Sequence, residues 1–201
     1  MRRVLFFAVL TLFVFSLVAC NDDNSNSEIN TVSRAELTER EEMLLLSTAD
    51  QSFVFDFNVE DKYKEVAVWV EKYESGNLVE EANYVFSMEI NKTGTIIFSI
   101  PPHKSGDSGE VLSTISINSD GTTGKGWGPA IMTKDDFEFV SGSNPLGSLP
   151  VKDKMILASI CYSSSKDGVS TLSTDFHADM DRHMDELKKY DVVYLLRSEF
   201  K

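Results

Sequence analysis

The chain has 201 residues, 42% of them hydrophobic, and a formal net charge of −13 at pH 7. That length is enough for one domain with a sizeable core and hardly enough for two. The charge argues against nucleic acid as a partner, since phosphate binding is built from clustered Lys and Arg, and it argues equally against electrostatic adhesion to anionic lipid.

Met1-Arg2-Arg3 gives the chain a basic start, residues 4–19 form an apolar run, and Leu17-Val18-Ala19-Cys20 closes it. The run falls short of the roughly 20 residues that span a bilayer, and it contains Thr11 and Ser16. It reads as a secretory signal peptide. Its last four residues resemble a lipobox, and the first 20 residues resemble the precursors of bacterial lipoproteins. The resemblance implies cleavage before Cys20 and lipidation of its thiol, with diacylglycerol and palmitate as the anchor chemistry. It also implies a mature protein tethered to the extracytoplasmic face of the cell membrane. Loss of Arg2 and Arg3 with the signal peptide takes the net charge from −13 to −15. The likeness concerns processing and ends at Cys20.

Residues 20–33 are expected to be the lipidated cysteine and a flexible tether, because Asn21-Asp-Asp-Asn-Ser-Asn-Ser-Glu-Ile-Asn30 has a single aliphatic side chain to bury. Residues 34–201 are expected to form one β-rich domain. Ser33-Arg34-Ala35-Glu36 matches a capping box and predicts a short helix over 34–42. From Ser52 the period becomes two: Phe53, Phe55 and Phe57 alternate with Val54, Asp56 and Asn58, a strand with one buried aromatic face. Residues 64–74 carry Val66, Ala67, Val68, Trp69 and Val70 in succession, the mark of a central strand covered on both faces. Ser75-Gly76-Asn77 turns the chain into a strand through Tyr84, Phe86, Met88 and Ile90, so residues 64–90 read as a hairpin. Asn91-Lys92-Thr93-Gly94 turns it again into residues 96–100, which Pro101-Pro102 stops.

Further strands are predicted over 111–118, 137–140, 155–162 and 192–197. Residues 101–110, 118–129 and 141–150 are rich in Gly, Ser and Pro and read as loops. One helix interrupts the β pattern over 175–189, where Phe176, Met180, His183, Met184 and Leu187 share a stripe, with Thr174 as its N-cap. Many short strands with turn signals between them point to a β-sandwich, jelly-roll or immunoglobulin-like, carrying one packed C-terminal helix.

Few residues suggest chemistry. Ser163-Ser164-Ser165-Lys166 and Lys92-Thr93-Gly94 fit two motifs of penicillin-recognising enzymes, but their order is reversed and no Ser-Asp-Asn is present, so they read as turns. Asp175-Phe-His177-Ala-Asp179-Met-Asp181-Arg-His183 gathers ligand types for zinc or manganese. On a helix, however, His177 with Asp181 and Asp179 with His183 make two separate pairs, fewer than zinc needs, and no metal or cofactor is expected. Asn118-Ser-Asp120-Gly121 lacks the twelfth-position glutamate of a calcium loop and reads as a hairpin turn. With Cys20 used by the lipid, Cys161 is left alone in an apolar run and is expected to be a buried small hydrophobe. In Gly124-Lys125-Gly126-Trp127-Gly128-Pro129, Trp127 either stands out as a stacking platform for a ligand or folds back to cap the core. The sequence therefore predicts an envelope lipoprotein that binds a protein or small ligand without catalysis. Two alternatives stay open: a hydrolase using His103 or His177 with a nearby acid, and a regulator docking on a membrane sensor or protease.

Overall fold

The period-two segments pair into two antiparallel sheets that face each other. The computed structural model describes residues 29–80, 84–103, 109–133, 137–166 and 168–201. In chain order the strands are β1 (Thr31–Arg34), β2 (Gln51–Asn58), β3 (Glu65–Glu74), β4 (Asn77–Glu80), β5 (Phe86–Glu89) and β6 (Thr93–Ile100). After these come β7 (Gly109–Ser119), β8 (Thr122–Thr133), β9 (Glu138–Ser143), β10 (Ser148–Pro150), β11 (Met155–Ser163) and β12 (Val192–Phe200). Sheet one runs β10-β1-β2-β6-β7-β8, and sheet two runs β4-β3-β12-β11-β9 with β5 also paired to β3. The protein is a β-sandwich, mainly β, as the alternating pattern implied.

The main core fills the space between the sheets. Phe53, Phe55 and Phe57 of β2, Ile96 and Phe98 of β6 and Ile115 and Ile117 of β7 meet Val66, Val68 and Val70 of β3 and Tyr194 and Leu196 of β12. Burying each such side chain contributes about 1.5–3 kcal/mol before conformational entropy is counted. Tyr194 also ties the sheets together, its hydroxyl accepting the Met132 N–H at 3.1 Å. A second core lies on the opposite face of sheet two, where Tyr73, Ile156, Cys161, Val193 and Leu195 pack under Leu172, Phe176, Leu187 and Tyr190. Sheet two is thus covered on both sides, which is why β3, β11 and β12 read as unbroken apolar runs. Among the described residues the two cores draw on positions from Val32 to Phe200.

Several elements differ from the sequence expectation. Residues 31–33, assigned to the tether, belong to sheet one: β1 lies between β10 and β2, and Val32 is fully buried. With Ser33 held in that ladder, the first capping box goes unused. The next Thr-x-x-Glu serves instead: Thr38 Oγ1 accepts the Glu41 N–H while Glu41 Oε2 accepts the Thr38 N–H, starting helix α1 at Glu39–Thr48. The expected C-terminal helix over 175–189 is a broken helical segment. Thr174–Ala178 and Met180–His183 are separated by Asp179 at φ −147°, ψ 84°, and Met184–Lys189 is 3₁₀. Its N-cap is Ser173 rather than Thr174, since Ser173 Oγ accepts the Phe176 N–H at 3.1 Å while Ser173 itself donates to the Glu186 carboxylate.

The expected hairpin over 64–90 forms with its second half divided, β4 and β5 pairing separately with β3. The largest departure is β8, a strand where glycine content predicts a loop. A Cβ on Gly126 would sit 2.5 Å from Phe86 Cδ2, and one on Gly124 would sit 2.9 Å from Met88 Sδ. The glycines are there so that β5 can lie against β8, and a side chain at either position is excluded by that approach. The turn into β8 is Asp120-Gly121, both at positive φ, as a tight two-residue hairpin needs.

Candidate functional site

The outer face of sheet one points away from the core. Registered rows cross it: Val54, Ile97, Ser116 and Lys125 lie side by side on β2, β6, β7 and β8, and Ser52, Ser99, Thr114 and Trp127 form the next row. Alternation sends Gly124 and Gly126 inward to β5 and therefore sends Lys125 and Trp127 outward. Trp127 is 63% exposed on this edge strand, with the Lys125 ammonium 5.9 Å from its ring. Beside it the face is hydroxyl-lined, Ser99 and Thr114 being joined by a 2.8 Å hydrogen bond.

The other end of this face lies under α1. The helix has no buried residue, and its charges are segregated along its axis: Glu39, Glu41 and Glu42 fill the first turn, while Met43, Leu44, Leu45 and Leu46 follow. Met43, Leu44 and Leu46 are 70%, 57% and 79% exposed. A groove of about 310 Å³ opens between helix and sheet, lined by Leu37, Leu44, Leu45, Val54 and Ile97, with Glu36, Glu41 and Asp56 among them. Glu41 is spent on its capping box, whose hydrogen bonds hold its carboxyl below the usual range, and Asp56 accepts the Thr95 hydroxyl at 2.8 Å.

A second cavity, of about 330 Å³, lies over the far face of sheet two beneath the broken helical segment, and Lys154, His177, Asp179, Asp181 and Arg197 line it. Its floor is a buried ion pair. Arg197 Nη1 reaches Glu71 Oε2 at 3.2 Å, Arg197 Nη2 donates to the Lys154 carbonyl at 2.8 Å, and Glu71 also accepts from Trp69 Nε1 and the Tyr73 hydroxyl. Burial lowers the His177 pKa below the ordinary imidazole value, against a smaller opposing pull from Glu186. The ring is therefore neutral at physiological pH, with Nδ1 buried and unpartnered.

A family model for the YgaN domain matches residues 31–200. The chain belongs to the YgaN family. No curated protein and no solved structure matches it. The matched span begins at β1 and ends at the last residue of β12, so the YgaN domain takes in both sheets and the helical cover.

Within the YgaN domain the remaining sequence candidates separate cleanly. His103 is the histidine that has an acid: its Nδ1 lies 2.7 Å from Asp50 Oδ2, and the same oxygen accepts the His103 N–H at 3.1 Å. That double contact fastens the chain after Pro101-Pro102 to the start of β2, and neither residue lines either cavity. His177 and Asp181 do not share one continuous helical face, because the helix breaks at Asp179 between them. Among the described residues no group of three His, Cys, Asp or Glu side chains gathers as a metal would require. Cys161 is buried, and desolvation pushes its thiol up to about 12, leaving it a protonated small side chain. Ser163 ends β11, and the following Ser164 binds Asp191 through backbone and hydroxyl. Thr93-Gly94 opens β6.

Cys20 lies outside the described residues. Among the described residues no helix is long and apolar enough to cross a membrane. The sequence reading missed the α1 groove. Its signal was the run Met43-Leu44-Leu45-Leu46 directly after an acidic turn, too short and too one-ended to show helical periodicity.

Proposed function

We propose that the protein is a lipid-anchored, extracytoplasmic binding module of the cell envelope. Cys20 carries the anchor, and a protein or small ligand is held on the outer face of sheet one. The observation that supports this reading best is the placement of Trp127. An indole 63% exposed on a sheet edge, flanked by Lys125 and hydroxyls, leaves a large apolar side chain open to a ligand. Aromatic anchors of this kind dominate binding energies at interfaces. Only ten residues separate Cys20 from β1 at Thr31. An anchor so close in sequence keeps the sandwich within reach of envelope partners while the acidic body stands off anionic lipid.

The test has two parts. In a bacterial host, the full chain should incorporate labelled fatty acid and the Cys20→Ser variant should not; label in the variant would sink the anchor. Crosslinked pull-down with the anchored protein should then recover a partner whose binding weakens about fivefold or more with Trp127→Ala, on the order of 1 kcal/mol. The His103–Asp50 contact at 2.7 Å is the one geometry that favours the hydrolase alternative. Loss of function in a folded His103→Ala protein, with Trp127→Ala silent, would select it.

A further inference from the structure

We propose that the groove between α1 and sheet one takes a basic, amphipathic segment of a partner protein. The segment's aliphatic side chains would fill the groove and its Lys or Arg residues would meet the rim. The inference rests on the binding-module reading and supplies the chemistry of the partner.

The groove is an apolar slot with charge of one sign. Leu37, Leu44, Leu45, Val54 and Ile97 provide the apolar lining, and among the described residues the ionisable ones that line it are Glu36, Glu41 and Asp56. None of those three carboxylates is in an ion pair among the described residues. Helix α1 adds Glu39 and Glu42 nearby against the lone cation Arg40, and its last turn carries no base. At the negative end of the helix dipole the Ser47 and Thr48 hydroxyls donate to the Leu44 carbonyl and the Ala49 N–H to the Leu45 carbonyl, all uncharged donors. A cation at the acidic end of the groove gains from the carboxylates, and one at the C-terminal end of α1 gains from the dipole. At about 310 Å³ the slot admits a few aliphatic side chains and cannot enclose a helix, so the partner must lie across it.

The same charge pattern selects among occupants. A second copy pairing groove to groove would set carboxylates against carboxylates across the two-fold axis. An anionic bilayer would meet the same acidic rim, which repels it. The chain's own tether is Asn21-Asp-Asp-Asn-Ser-Asn-Ser-Glu-Ile-Asn30, itself acidic. A segment with alternating apolar and basic character meets no such conflict.

The test uses the chain from Asn21 to Lys201, which keeps all of the matched residues 31–200, and three labelled 14-residue peptides. All three share one leucine pattern and carry lysine, glutamine or glutamate at the polar positions. Fluorescence anisotropy should show the lysine peptide binding at least tenfold tighter than the glutamine peptide, and the glutamate peptide not binding. Leu44→Gln and Glu36→Lys should each weaken the lysine peptide tenfold or more. Both sites are exposed enough to leave folding intact, which a thermal melt checks. Asp153→Lys, at the other cavity, should change it less than twofold. Equal loss with Asp153→Lys and Glu36→Lys would reduce the effect to overall charge and overturn the proposal, as would absence of peptide binding. So would concentration-dependent dimers, or binding to anionic vesicles, that Leu44→Gln abolishes. A partner that depends on Trp127 but ignores Leu44 and Glu36 would overturn this inference and leave the binding-module reading standing.

Discussion

Replacing Arg197 by Met tests whether the buried pair beneath the second cavity is held as described. Arg197 and Glu71 are each 8% exposed, 3.2 Å apart, and the guanidinium also satisfies the Lys154 carbonyl at 2.8 Å. Methionine fills much of the same volume but leaves the Glu71 carboxylate without a counter-charge. Stranding one partner of a buried pair costs about 3–5 kcal/mol. Trp69 and Tyr73 still donate to Glu71, which places the expectation near the lower end. For a domain of this size each kcal/mol moves Tm by roughly 2–4 °C, so a loss of about 6–12 °C is expected. Adding Glu71→Gln removes the stranded charge while keeping an amide oxygen for the tryptophan or tyrosine. The double variant should regain about 1 kcal/mol or more over Arg197→Met. Thermal and urea unfolding of the chain from Asn21, read by near-ultraviolet circular dichroism, measures both steps. If Arg197→Met stays within 1 kcal/mol of the native chain, or if Glu71→Gln lowers stability further by its own full cost, the pair is not buried and mutually dependent.

The approach of β5 to β8 predicts that Gly126→Ala, whose Cβ would meet Phe86, costs about 1–3 kcal/mol by overpacking. Gly142→Ala, whose Cβ would lie an ordinary 3.6 Å from Thr171 Cγ2, should fall within about 0.5 kcal/mol of the native chain in the same unfolding assay. Cys161, with its thiol raised to about 12 by burial, should resist alkylation at pH 8 in the native state and react at once in denaturant; rapid native labelling by mass spectrometry would contradict its burial. His177 has its pKa lowered in the fold, so between the free-imidazole value and its own lower one the unfolded chain binds the proton and the native chain does not. Stability should therefore rise with pH through that window and be level on either side of it, and His177→Gln should flatten the dependence seen in melts between pH 5 and 7.5.

What the sequence disclosed followed from how much each segment repeats a period. β2, β3, β11 and β12 were legible because alternating or unbroken apolar runs answer directly to one or two covered faces. β8 was hidden because its inward positions are Gly124 and Gly126, whose purpose is to receive Phe86 from a strand some 40 positions earlier. No local pattern encodes that approach. α1 was displaced because two boxes of the same form lie five residues apart, and the choice between them is made by Ser33 pairing in a sheet whose partner β10 comes more than a hundred residues later. The candidate face was legible at Trp127, where exposure was one of two readings left open. The groove was not, since its wall is assembled from α1, β2 and β6 together. His103 and Asp50 also meet only through the fold, 53 positions apart.

The position of β1 bears on how the molecule takes a mechanical load. Any tension carried by the chain ahead of Thr31 enters the sandwich through this four-residue strand, which is hydrogen-bonded to β10 on one side and β2 on the other. Ladder bonds run perpendicular to the strands. A pull along the strand axis therefore shears both ladders at once instead of opening them bond by bond, and it must also drag Val32 out of the core. A pull across the axis peels the strand. The domain should resist force applied along β1 far better than force applied across it.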